Sequence, residues 1–126
     1  LNTQNPDDTL QLSLGRDKGL VVKRTRVYNK QEKTLFGSNK IDYFVWKIEL
    51  RNNKKVPVDI VLRDQVPVSQ HEDIKVTVNN VGGGDYDEKT GIIKWRITQE
   101  PGAKNIYEIT YEVKYPKNVG TGVMYY

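Results

Sequence analysis

His71 is the single histidine of a 126-residue chain that has no cysteine. It stands in Ser69-Gln70-His71-Glu72-Asp73, so a Ser69-His71-Asp73 set for nucleophilic hydrolysis has its members two residues apart. Side chains at i and i+2 of an extended segment run parallel, whereas a triad needs nucleophile, base and orienting carboxylate to converge. The segment therefore reads as a solvated loop. Asp85, Asp87 and Glu88 follow Gly82-Gly83-Gly84 and offer oxygen atoms at the spacing a calcium ion accepts when carbonyls complete its shell. The spacing of an EF-hand loop is missing, and a polar turn with glycines at positive φ accounts for the same residues. The glycines make no phosphate cradle either, since no Lys-Ser/Thr follows and no helix begins there. No catalytic residue, cofactor or metal is expected.

Trp46, Trp95, Tyr107 and Tyr111 would suit a sugar-binding platform, but their parity along the chain places them on inward faces, as core. Tyr43 and Tyr86 fall outside the inward sets and are the aromatic residues expected at the surface. The charge is concentrated. Residues 16–40 hold eight Lys or Arg (Arg16, Lys18, Lys23, Arg24, Arg26, Lys30, Lys33, Lys40) against Asp17 and Glu32, a net of +6, which leaves −2 for the rest of a chain whose total is +4. The candidate binding face is Lys23, Arg24 and Arg26 with Tyr43, directed at an anionic glycan or lipid headgroup. The competing account is that the cations guard a strand edge against pairing with other molecules. No aromatic stacking set is interleaved with them, so nucleic acid is not the expected partner.

The elements that must position these residues are strands. Leu10, Leu12 and Leu14 alternate with polar residues before the turn Gly15 to Gly19. Val21 to Tyr28 is β-branched and basic. Phe44, Trp46, Ile48 and Leu50 share one face of a third strand whose other face carries Tyr43, Lys47, Glu49 and Arg51. Val56 to Leu62 returns antiparallel, with Pro57 at its start because proline donates no ladder hydrogen bond. Ile74, Val76 and Val78 form a fifth strand ended by Gly82 to Gly84; Ile93, Trp95 and Ile97 a sixth; Tyr107 to Tyr115 a seventh, after the Pro101-Gly102 turn. About seven short strands and no helical spacing predict an all-β, immunoglobulin-like or fibronectin-III-like antiparallel β-sandwich. A barrel is the structural rival. Its expected core is Trp46, Ile48, Leu50, Trp95, Ile97, Ile109, Tyr111 and Val113.

The composition, 37% hydrophobic and 29% charged, suits one folded domain and is too interrupted by charge for a membrane span. Residues 1–126 are read as a single domain with its core at 8–117 and a tail at 118–126. A chain opening on Leu1 without an apolar leader is read as a fragment whose export signal lies upstream.

Leu12 to Asp17, Tyr43 to Asn52, Val61 to Ser69, Gly91 to Trp95, Pro101-Gly102 and Tyr111 to Lys117 together resemble the domain of unknown function that closes bacterial mucoidy-inhibitor-A-like proteins. Arg63-Asp64-Gln65-Val66-Pro67 is the most specific of these stretches. The resemblance implies a C-terminal position in a longer, exported bacterial protein, in the periplasm or at the cell surface, behind a β-domain and a coiled-coil-like region. It implies no reaction. The tail from Asn118 to Tyr126 departs from it, since such chains end soon after the Tyr-Pro-Lys stretch.

The expected function is a non-catalytic interaction or structural module of a cell-envelope protein. Its expected partners are the preceding domains of the same chain, another envelope protein or an anionic glycan. A binding module for anionic glycan or lipid headgroups through residues 16–40 is the alternative. A hydrolase ranks last, because the chain offers one histidine and no convergent carboxylate pair.

Overall fold

The period-two alternation becomes two antiparallel sheets. The computed structural model describes residues 9–13, 19–33 and 39–116. Its strands are β1 (Thr9–Ser13), β2 (Leu20–Lys33), β3 (Asn39–Asn52), β4 (Val58–Gln65), β5 (Lys75–Asn80), β6 (Asp85–Tyr86), β7 (Ile92–Gln99) and β8 (Lys104–Pro116). Five of them form one sheet in the order β1-β2-β3-β8-β5, and three form the other in the order β4-β7-β6. No ladder joins the two among the described residues, so the sheets face each other as a sandwich and do not close into a barrel.

Inner-face residues of both sheets meet in one core: Ile48 from β3, Leu62 from β4, Ile93 and Trp95 from β7, and Ile109, Tyr111, Val113 and Tyr115 from β8. Of the eight expected core residues, Ile48, Leu50, Trp95, Ile109, Tyr111 and Val113 are buried; Trp46 and Ile97 are half-buried. The reason is the unequal width of the sheets. Sheet one overhangs sheet two on the β2 side, where Trp46 lies opposite Arg26 and under the Arg24 guanidinium, and Ile97 lines the groove left beside β7 where β6 stops.

Two of the four chain crossings between sheets, from β3 to β4 and from β7 to β8, lie at one end. β3 ends at Asn52 and β8 begins at Lys104, with Arg51 opposite Lys104; β4 begins at Val58, opposite Gln99 where β7 ends. A polar plug closes that end. Asn52 Nδ2 donates to the carbonyls of Val56 (2.9 Å) and Gln99 (3.0 Å), and its Oδ1 accepts from Lys54 N. Gln99 Nε2 donates to the carbonyls of Leu50 (3.2 Å) and Ala103 (2.9 Å), while its Oε1 accepts from Asn105 Nδ2 at 2.7 Å. Buried amides are tolerated when their donors and acceptors are matched. Among the described residues no buried side-chain nitrogen or oxygen lacks a partner.

Several details differ from the sequence-based expectation. The described residues form eight strands, because the chain makes a two-residue strand directly after Gly84. β2 continues through its polar half to Lys33, carried by the ladder to β3, with a bulge between Arg26 and Tyr28. β4 starts at Val58, leaving Val56 outside it and 52% exposed. Leu14 and the tail at 118–126 lie outside the described residues. The connectivity also departs from the immunoglobulin order. Without β1 the sheets have the four-plus-three size of that fold, yet the place beside its second strand that the fifth strand takes there is taken here by β8, the last in the chain.

Candidate interaction faces

Lys23, Arg24, Arg26 and Tyr43 do not form one face. Directly opposed residues of an antiparallel pair point to the same side. Arg24 lies opposite Ile48 and Arg26 opposite Trp46, so both are on the inner side of sheet one. Lys23 lies opposite Glu49 and Tyr43 opposite Glu112, on the outer side. The outer side is also mixed in sign, because Lys47 faces Glu108 and Arg51 reaches Glu49 at 3.4 Å. Lys23, Arg24 and Arg26 are thus divided by the strand's pleat, and Glu49 of β3 and Glu108 and Glu112 of β8 stand on the outer side with Lys23.

Arg24 has a structural task. Its Nε donates to Asp64 Oδ2 on β4 at 2.9 Å, tying the overhanging sheet to the edge of the narrow one, and its guanidinium lies 3.8 Å from the centroid of the Trp46 ring. Arg26 lies farther from the same ring, at 6.0 Å. Trp46 Nε1 in turn donates to the Tyr111 hydroxyl at 3.2 Å, and the Tyr111 ring stacks on Phe44 at 4.9 Å. Arginine over an indole face is favourable and covers apolar surface with its stem. Where the narrow sheet stops, this guanidinium closes the side of the core.

The candidate chemistry elsewhere is occupied by turns. Ser69 Oγ accepts from His71 N at 3.1 Å and donates to the His71 carbonyl at 2.7 Å, which makes the serine a turn former. His71 Nδ1 accepts from Asp73 N at 3.1 Å and stands 3.9 Å from Asp73 Oδ2, with His71 exposed. Ser69 Oγ and the imidazole share no hydrogen bond, so no nucleophile and base are brought together. Asp85 pairs with Lys94 in the β6–β7 ladder, and Asp87 Oδ1 accepts from Lys89 N at 2.9 Å. No three His, Asp or Glu side chains gather as metal ligands among the described residues. Tyr86, expected at the surface, pairs with Ile93 and packs against the core. Burial there, helped by Glu88 and Asp87, pushes its phenol above the ordinary 10.0.

The Arg63 to Pro67 stretch and the Gly91 stretch are two halves of one latch. Val66 N donates to the Gly91 carbonyl at 2.8 Å, Gln65 Nε2 donates to the Thr90 carbonyl at 2.8 Å, and Val66 and Pro67 are fully buried. Gly91 has φ 77°, and a Cβ there would collide with the Val66 carbonyl oxygen. The pairing demands glycine at 91 on both grounds.

Over residues 2–117 the chain matches the family described as Domain of unknown function (DUF4139). It belongs to that family. No curated protein and no solved structure matches it. In this DUF4139 domain four residues of the Arg63–Pro67 stretch have structural contacts: Asp64 in the ion pair with Arg24, and Gln65, Val66 and Pro67 in the buried latch. Among the described residues no helix is long and apolar enough to cross a membrane.

One cationic group of the DUF4139 domain escaped the sequence reading. Arg63 on β4 lies directly opposite Lys94 on β7, and Arg96 shares their face two residues further on. These residues are about thirty apart along the chain and belong to no basic run. Strand parity joined to the β4–β7 register is the signal that would have found them.

Proposed function

We propose that the domain is a non-catalytic interaction and structural module of a bacterial cell-envelope protein, working by surface contacts of a rigid body joined to preceding domains. The observation that carries this reading is the use made of its polar chemistry. Asn52, Gln99 and the Arg24–Asp64 pair hold the sheets together, while Ser69, His71, Asp73 and Asp87 shape turns. What remains for function is surface. The resemblance of Arg63 to Pro67 and the stretches around it to the closing domain of mucoidy-inhibitor-A-like proteins supports export and a place behind other domains. Cell fractionation of the full-length protein, with amine cross-linking from the exposed Lys23 and Lys47, tests it. Recovery outside the cytoplasm with cross-links to the preceding domains or an envelope protein is expected; a cytoplasmic protein without such cross-links would refute the reading.

The second reading is the anionic glycan or lipid-headgroup module. Its support is the +6 of residues 16–40; against it stand Glu49, Glu108 and Glu112, interleaved on the outer face. Salt-sensitive cosedimentation with anionic vesicles or polysaccharide, lost on changing Lys23, Arg24 and Arg26 to Gln, would establish it.

A further inference from the structure

β6 is two residues long and β7 is eight, and the difference leaves part of β7 without a neighbour. In an antiparallel strand the N–H and C=O of one residue point to one edge and those of the next residue to the other. The Ile92 carbonyl accepts from Asp87 N at 2.9 Å on the β6 side, and the Gly91 carbonyl accepts from Val66 N at 2.8 Å on the β4 side. By this alternation Lys94, Arg96 and Thr98 offer their backbone groups to the β6 side. β6 reaches Lys94 through Asp85 and goes no further. The N–H and C=O of Arg96 and Thr98 therefore face an edge on which no strand of the described residues lies.

That edge opens on a groove of about 450 Å³ lined by Gly82, Gly83, Trp95, Ile97, Thr98 and Tyr107, among others. The chain is kept out of it by the glycine turn. Gly82 at φ 63° lies against the backbone of Glu108, its carbonyl accepting from Trp95 Nε1 at 3.0 Å, and a Cβ on Gly83 would meet nothing within 4 Å. On the outer side of the edge stand Lys94 and Arg96, with Arg63 beyond them. Asp85 opposes Lys94 across the ladder, yet none of the three cations has an ion pair or side-chain hydrogen bond among the described residues. Like charges directly opposed, as Arg63 and Lys94 are, destabilise a sheet, and the open place beside Arg96 is where an added carboxylate would offset this.

We propose that an extended acidic peptide segment of a partner protein adds to this sheet as a strand beside Arg96 and Thr98, in the line of β6. The backbone groups of the two residues supply the ladder, over about four peptide residues. Strand pleating then dictates the side chains: acidic residues toward Lys94 and Arg96, alternating with apolar ones over Ile97 and Tyr107. A second copy of the domain is the wrong occupant, since it would bring Lys94 and Arg96 against the same cations. The proposal rests on the interaction-module reading, but the two can fail separately: cross-links to neighbouring domains can form while this edge binds nothing.

The probe is a short synthetic peptide of alternating glutamate and valine, compared with one of alternating lysine and valine. Binding is followed by amide chemical shifts and by fluorescence polarisation. The acidic peptide is expected to bind, to shift the amides of Arg96 and Thr98 most, and to weaken with salt. Thr98→Pro removes an N–H that no strand of the described residues uses, and should weaken binding about tenfold or more, as loss of backbone hydrogen bonds requires. Thr98→Ala loses the hydroxyl's 2.7 Å bond to Asp59 Oδ1, as the proline variant does, but keeps the N–H, and should bind like the wild type. Arg96→Glu should abolish the preference for the acidic peptide. Equal binding of both peptides, shifts centred away from Arg96 and Thr98, or binding indifferent to Thr98→Pro would overturn the proposal. So would self-association of the wild type that Thr98→Pro abolishes.

Discussion

Asn52 on one sheet donates its Nδ2 proton to the Gln99 carbonyl on the other at 3.0 Å, and both residues are fully buried. Each amide is saturated by groups at the β3–β4 and β7–β8 crossings between sheets. Removal of either takes a donor from a buried backbone carbonyl, that of Gln99 or that of Leu50. Asn52→Ala and Gln99→Ala should each cost about 2–3 kcal/mol in urea denaturation. The double variant should cost less than their sum, because the two share one network.

Trp95 is 4% exposed at the centre of the core and packs on Tyr107 at 5.5 Å. Trp95→Ala should destabilise by about 3–5 kcal/mol through the cavity left behind. Denaturation within a few tenths of the wild type would show that the inward face of β7 is misassigned.

The Arg24–Asp64 bridge is held where the Asp64 side chain is 11% exposed and that of Arg24 31%. A double-mutant cycle on Arg24→Gln and Asp64→Asn should show coupling of about 1 kcal/mol, intermediate between surface and buried pairs and reduced at high salt. Arg24→Gln should also weaken a fold-dependent Trp46 fluorescence signal; coupling near zero with unchanged fluorescence would remove the side-closing role given to Arg24.

How much of this could be read from the sequence depended on where a residue lies in a sheet. β3, β7 and β8 showed plainly because each has one face in the core, so Ile48, Trp95 and Tyr111 recur with period two. The polar half of β2 did not, since its hydrogen bonds to β3 leave no mark on residue types. Lys23 and Arg24 show the opposite case. Neighbours in a strand must face opposite sides, yet they were grouped by charge along the chain. The cations at 63, 94 and 96 required the register between β4 and β7, which no local pattern encodes. The contact of Gly91 with the Val66 carbonyl left no sign in the sequence.

Tyr86 gives a pH dependence. Burial and the nearby carboxylates raise its pKa above 10.0 in the folded protein, so the neutral phenol is favoured by folding. The associated stability is fully present below pH 10 and is lost as the pH rises through the folded-state value. Denaturation midpoints should therefore fall in that alkaline range, and Tyr86→Phe should flatten the fall. An identical alkaline profile in the variant would count against it.

The central proposal is that this domain acts through contacts of its surface. Hydrogen exchange of the isolated domain compared with the full-length protein carrying it measures this most directly. The account predicts slower exchange in the full-length protein at one continuous surface, such as the outer face of β2 and β3 or the edge at Arg96 and Thr98. Peptides through Ile109 to Val113 should be unchanged, because the core is the same in both. Equal exchange at every surface segment would contradict it.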